Sequence, residues 1–420
     1  MGIRAEFEAV AARPHKGGWR ANALLTLVSV ILSLLLAEAV LRWAVHDHPE
    51  FYMLDPTVGW RPRPAAAGWF LGESETYVAM NQEGYRDVDH AVTKPPGTYR
   101  IVILGDSMSE GMEVTLSDLY WKRLESLLPQ CPAFAGRQIE VISLAVNGYG
   151  TAQEYLTLKE RGLKFQPDLV LLALFTGNDF TDNFKALGHH RDRPYFALRD
   201  GRLVLDQIAG DAPGFAARQR WGELRHRLLE PIRLVQVAQQ AQTRLRSMLR
   251  YGHPDANRID QPGLDSLVFA PPATREWQEA WAVTEALILA IADTARSAGA
   301  AFALTTLANP LQVLPDTAAR DRLAKALGIA DLTYPDRRLE QFAAANDFPD
   351  MPLVDALAAH AAKHHAALHG FDPRQPIGHW NRLGHNVAAT ELGRSLCEQM
   401  AAGRLATPSV PHQSGSNTLR

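Results

Sequence analysis

The sequence is poor in cysteine. Among 420 residues there are two, Cys131 and Cys397, too few for a disulfide-dense scaffold and without the paired spacing of a zinc site. It also lacks a surplus of either charge: 43 Lys and Arg stand against 46 Asp and Glu, a net −3. That balance gives no hint of nucleic-acid binding. The dinucleotide and P-loop glycine patterns are absent, so no nucleotide cofactor is implied. No cofactor of any kind is expected. Histidines 360, 364, 365 and 369 recur at near-helical spacing, but no His-Glu-x-x-His frame or other acid completes a metal site among them, and they read as exposed helix histidines. The hydrophobic content of 46% and charged content of 21% are ordinary for a globular protein.

Long apolar runs are also scarce, with one exception. Ala21 to Leu41 carries a single acid, Glu38, near its end, and has about the ~20 residues needed to span a bilayer. Arg4, Arg13, Lys16 and Arg20 precede it. By the positive-inside tendency, residues 1–20 would be cytoplasmic and the rest of the chain would lie outside. The expected organisation is a single-pass signal-anchor at 21–41 in the cell inner membrane. A cleaved signal, with Ala37-Glu38-Ala39 as the cutting site, and a buried core helix are the alternatives. The all-round apolarity argues against the core helix. Bulky Val40 and Leu41 after the cut argue against cleavage.

Beyond this, short apolar runs alternate with helical periodicity. Strands are expected near 100–104, 139–145, 168–175 and 301–307, with a short one from Pro352 to Ala356. Helices are expected at 117–129, 152–161 and 275–298, and from Asn386 to Met400. Such alternation predicts a parallel sheet covered on both faces. Three strands end in turn-forming polar sequence: Gly105-Asp106-Ser107, Asn147-Gly148-Tyr149, and Gly177-Asn178-Asp179. Open α/β sheets place ligands just outside the carboxyl ends of their strands. Near the C-terminus stands His379-Trp380-Asn381-Arg382-Leu383-Gly384.

Ser, Gly, Asn and His in this order, the first three over strand ends, resemble the SGNH (GDSL-type) esterase and acyltransferase superfamily over roughly Asn81 to Ala401. The resemblance implies a three-layer α/β/α, flavodoxin-like fold and acyl-transfer chemistry. Ser107 would be the nucleophile and His379 the general base. The Ser107 amide, the Gly148 amide and the Asn178 side chain would form the oxyanion hole. His385 is an alternative base, but the His-x-Asn-x-x-Gly spacing matches His379. One departure stands out. The acid usual two or three positions before the histidine is replaced by Pro376 and Ile377, leaving Asp372 as the nearest carboxylate. A backbone carbonyl is the favoured partner of the His379 ring, with Asp372 the alternative. In flavodoxin-like sheets the helix after strand one and the last helix are neighbours, so Cys131 and Cys397 could pair in an oxidising compartment.

Residues 45–98 resemble the lead-in segments of membrane-anchored members of that superfamily, read as short extended pieces packed along a catalytic domain at 99–401. Tyr85 and Arg86 could line the cleft or make a structural ion pair, and the ion pair is preferred. An insertion at about 184–274 opens with a hairpin turning at Asp200-Gly201. It continues as amphipathic helices over 216–250, interrupted at Pro231. These carry arginines 218, 220, 225, 227, 233, 244, 246 and 250 against Glu223 and Glu230. A solvated lid is the preferred reading, with an anionic membrane or acidic polymer as the other possible partner. Residues 403–420 read as a disordered tail. The expected substrate is an ester, such as an acylated surface glycan or lipid. Water would make the protein an esterase, and a sugar hydroxyl would make it an O-acyltransferase. A non-catalytic scaffold on a hydrolase fold is the remaining alternative.

Overall fold

In the computed structural model the four short apolar runs expected as strands form one parallel sheet: β1 (Thr98–Gly105), β2 (Gln138–Ser143), β3 (Leu169–Phe175) and β4 (Ala301–Leu307). The structure describes residues 18–188, 190, 192–251, 265–372 and 376–406. The spatial order is β2-β1-β3-β4, with Ile101 facing both Val141 and Leu169 across the ladders. Alternating residues divide between two cores. Val102, Leu104, Val170 and Leu172 pack with Trp277, Trp281 and Ile288 of helix Arg275–Ser297. Ile101, Ile103, Leu169 and Leu171 pack with Trp121, Leu357 and Leu392, from helices Tyr120–Leu127, Val354–His364 and Arg382–Ala401. Both faces are covered, which is why these strands read as continuous hydrophobic runs. The fold is three-layer α/β/α.

The short strand expected at 352–356 is not formed. Asp350 makes one parallel bridge to Leu304, and helix Val354–His364 begins at once. Backbone hydrogen bonds still tie this segment to β4, from Leu304 N–H to Pro349 O, Met351 N–H to Leu304 O and Leu353 N–H to Thr306 O, and the helix that starts at Val354 takes over the residues expected to extend the strand. The insertion contains the hairpin Tyr195–Arg199 and Arg202–Gln207, then helices Phe215–Leu228 and Arg233–Tyr251. The lead-in is two antiparallel hairpins, Tyr52–Asp55 with Gly59–Pro62 and Ala67–Leu71 with Glu75–Ala79. Residues 403–406, expected to open the tail, are folded onto the domain: Leu405 is buried, and its carbonyl accepts a hydrogen bond from Tyr99 Oη at 2.9 Å. Residues 407–420 lie outside the described residues.

Helix Gly18–Ala44, with mean hydropathy 2.5, is long and apolar enough to cross a membrane. None of its residues is buried, as expected of a span or signal sequence and contrary to a core helix. Residues 1–17 of the expected cytoplasmic segment lie outside the described residues.

Cys131 and Cys397 form a disulfide across 266 residues of sequence, joining the end of the first covering helix to the last helix. Reduction is expected to lower unfolding free energy by about 2–5 kcal/mol through release of so long a loop. Denaturant melts with and without reductant test this, and coincident curves would contradict it.

Candidate active site

The β1 strand ends at Gly105, and Asp106 starts a single helical turn, Ser107–Glu110, by accepting the Met108 N–H at 2.9 Å. This turn lifts Ser107 above the sheet's carboxyl edge, where its side chain is half-buried. Ser107 Oγ lies 2.9 Å from His379 Nε2. The other ring nitrogen, Nδ1, is 2.7 Å from Glu73 Oε1 and 3.5 Å from Glu113 Oε1. Glu73 also accepts the backbone N–H of His379.

The partner of the His379 ring is therefore Glu73, in place of the expected carbonyl or Asp372. Asp372 lines a cleft of about 1170 Å³ that shares Glu113 with the site and is also lined by Trp69, Tyr77 and Arg382. Sequence reasoning missed Glu73 because it sits in the turn of the Ala67–Ala79 hairpin, 306 residues from His379. No local spacing could mark it. The approach depends on Gly378, whose φ is +99° and where an added Cβ would collide with the Glu73 carboxylate. Gly378→Ala is expected to displace the Glu73–His379 pair and lower kcat by up to about 100-fold, the cost of misplacing a catalytic group by about 1 Å. Steady-state kinetics on a variant folded by circular dichroism tests this, and unchanged turnover would contradict it.

Electrostatics follow from the geometry. Burial alone would push the His379 imidazole down, but the Glu113 and Glu73 carboxylates outweigh it and hold it up at about 9. Burial raises Glu113, against the pull of His379. Asp106 is pushed up to about 7 by burial. Behind it, burial and the neighbouring carboxylates drive Glu154 and Asp179 well above the usual carboxylate range. The Glu73, Glu113 and His379 ligand atoms lie within 4.8 Å of one another and could hold a cation, although hydrogen bonding within the group already engages Glu73 and both ring nitrogens of His379.

Gly148 follows β2 in a loop gripped from several sides. Asn147 N–H donates to Glu110 Oε2 at 2.7 Å, Trp60 Nε1 donates to Asn147 O at 2.9 Å, and Arg193 donates to Gly148 O at 2.8 Å. Its φ is +71°, and an added Cβ would press on the Trp60 ring at 3.3 Å. Asn178 follows β3, which pairs with β1 in register Gly105–Ala173. Its Nδ2 donates to Asp182 at 2.9 Å, which occupies one of its two amide hydrogens. Arg193 links the two loops, since its guanidinium also lies 3.2 Å from Asp182. Sequence reasoning passed over Arg193 as the start of a hairpin. Tyr85 packs in the main core. Arg86 is buried and donates to the carbonyls of Glu110, Gly111 and Val114, so it shapes the loop carrying Glu113, with no acid in hydrogen-bond range among the described residues. His385 is no base: it is buried, stacked on Tyr120, and pushed down to about 3 by burial. His369 is buried too, against the expectation of an exposed residue, and faces the Ala308 carbonyl.

No family model and no curated protein matches the chain. Among solved structures it is similar to the acetyl xylan esterase AlAXEase, with 13% identity over 71% of this chain and 99% of that one and a TM-score of 0.37. It is also similar to a catalytic mutant of Axe2, an acetylxylan esterase from Geobacillus stearothermophilus, with 10% identity over 72% and 96% and a TM-score of 0.36. A GDSL-like lipase from Bacteroides thetaiotaomicron matches at 12% identity over 71% and 88%, with a TM-score of 0.30. The chain is an α/β protein with a parallel sheet of order β2-β1-β3-β4 covered by helices on both faces.

Proposed function

We propose that the chain is a membrane-anchored serine ester hydrolase of the SGNH type, working through an acyl-enzyme. One observation carries this reading: a half-buried Ser107 hydroxyl at 2.9 Å from an imidazole whose far nitrogen is held by a carboxylate at 2.7 Å. Ser107 Oγ attacks the ester carbonyl as His379 Nε2 takes its proton, and the leaving alcohol receives that proton as the C–O bond breaks. The oxyanion rests on the amides of Ser107 and Gly148 and on the second hydrogen of Asn178 Nδ2. Water, deprotonated by His379, then releases the acyl group as a carboxylic acid. A sugar hydroxyl entering at the same step would complete an O-acyl transfer instead. The disulfide supports a domain outside the cytosol, the side to which the basic residues before the apolar helix assign it.

Asn178→Ala is expected to lower kcat on short p-nitrophenyl esters by roughly 10²–10³, the effect of losing one oxyanion donor. Unchanged kcat would remove Asn178 from the mechanism. Wild-type protein that takes up one acyl group per chain and releases it only when a glycan is added would make the transferase the physiological activity. A chain that never acylates would return the scaffold reading.

A further inference from the structure

Helix Phe215–Leu228 has two unlike sides. Toward the domain it buries Phe215 and hydrogen-bonds through Gln219 to the Leu54 carbonyl. On that side Arg218 and Arg225 pair with Asp192 and Glu50. Away from the domain stand Leu224 and Leu228, 47% and 60% exposed, and beside them Trp221, 60% exposed, at the rim of the cleft the helix forms with Tyr52 and Leu54. Beside these residues run Arg220 and Arg227, exposed and without a carboxylate partner among the described residues. A monomeric soluble protein rarely turns such a face to water.

The position of this face says what covers it. The next helix, Arg233–Tyr251, is capped by the anchor: the Arg233 and Leu234 N–H groups donate to the two Glu38 oxygens at 2.9 and 3.0 Å. Arg42 donates to the Pro231 carbonyl at 2.6 Å. These contacts are confined to the outer end of helix Gly18–Ala44, since residues 20–36 are exposed throughout. Trp19 and Trp43, the latter 90% exposed, stand near its two ends, about 36 Å apart at 1.5 Å per residue. Tryptophans so placed mark the two interfaces of a bilayer. The short link from Leu228 to Arg233 is thereby tied to the membrane surface. Arg246 and Leu245 are exposed on the second helix as well.

We infer that the helices of the insertion form a second membrane contact, with Trp221, Leu224 and Leu228 in the interfacial layer and Arg220 and Arg227 on anionic headgroups. An exposed tryptophan and leucines with arginines beside them are the residue types that membrane interfaces take up, the rings and alkyl chains at the headgroup level and the arginines on anionic lipid. The anchor alone would leave the domain free to swivel, and this contact fixes its orientation to the leaflet. The inference rests on the reading of residues 18–44 as a membrane span.

The test uses the full chain reconstituted in vesicles, with one introduced cysteine labelled by an environment-sensitive fluorophore, since both native cysteines are paired. Labels at Leu224→Cys and Leu228→Cys are expected to be quenched by shallow spin-labelled lipid, several-fold more than one at Lys325→Cys on exposed helix Thr317–Leu327. Quenching should rise when phosphatidylglycerol replaces part of a phosphatidylcholine bilayer. Arg220→Glu with Arg227→Glu should weaken the contact equilibrium about fivefold per arginine, read as lost quenching at 224 and 228 with Ser29 unchanged, and without loss of activity on a soluble ester. A label at Ser29→Cys reports on the span itself. Deep quenching at Ser29 with none at 224 and 228 would overturn the second contact alone. No deep quenching at Ser29 would overturn the anchor, and the contact with it. Protection of 224 and 228 by polygalacturonate in detergent, without lipid, would assign the face to an acidic polymer and overturn the membrane seat.

Discussion

Ser107→Ala is expected to lower kcat for a short p-nitrophenyl ester by about 10⁶-fold, as when a serine nucleophile that works with its base as a unit is removed. His379→Ala should cost about as much, and the double variant little more, because neither group does chemistry without the other. That non-additivity separates a nucleophile–base pair from two residues that merely shape a cleft. Near-wild-type turnover by the Ser107→Ala variant would end the acyl-enzyme account.

The second large effect concerns the two glutamates at the His379 ring. Glu73→Gln combined with Glu113→Gln is expected to lower the pH-independent kcat by up to about 10⁴, the cost of losing control of the tautomer. The same change should move the pH profile. In the wild type the two carboxylates hold the imidazole up at about 9. The reactive neutral base therefore grows as pH rises, and kcat/KM should climb about tenfold per unit until pH ~9. Without the carboxylates the limb should fall toward the ordinary histidine value, about 6.5 or below given the burial. The variant's deficit should then be greatest above pH 9 and shrink near pH 7, where the wild-type base is mostly protonated. A limb that stays near pH 9 in the double variant would show that something else raises His379.

Much of the sheet was legible because its strands are buried on both faces and leave uninterrupted apolar runs. Leu169–Phe175 and Ala301–Leu307 stand where those runs do, and helix Arg275–Ser297 follows its tryptophan and alanine stripe. Ser107 and His379 could be singled out because each lies in a local motif with its own spacing. Glu73 and Arg193 could not. Each reaches the site from a segment outside the α/β alternation, a lead-in hairpin and the insertion, Glu73 across 306 residues to His379 and Arg193 across 45 to Gly148. Helices Thr317–Leu327 and Tyr334–Ala345 were passed over for another reason. They lie at the surface of the domain with polar outer faces and few of the large apolar residues that reveal a periodicity.

The same distinction explains the lead-in. Its glycines, prolines and aromatics announce turns and extended pieces, which is what the chain forms. Those pieces are not packing material alone. Trp60 holds the Gly148 loop, Tyr52 donates to the buried Glu110 at 2.6 Å, and Glu73 completes the site. A chain truncated at residue 98 would keep the sheet's strands and lose the acid.

The central claim is that Ser107 is a nucleophile activated by His379, and covalent labelling tests it most directly. Wild-type protein incubated with a fluorophosphonate should gain the mass of one phosphonyl group, mapped by peptide sequencing to Ser107. The labelling rate should rise toward pH 9, and the adduct should be absent from the His379→Ala variant over the same time. An unlabelled wild type, an adduct on another serine, or equal labelling with and without His379 would contradict the account.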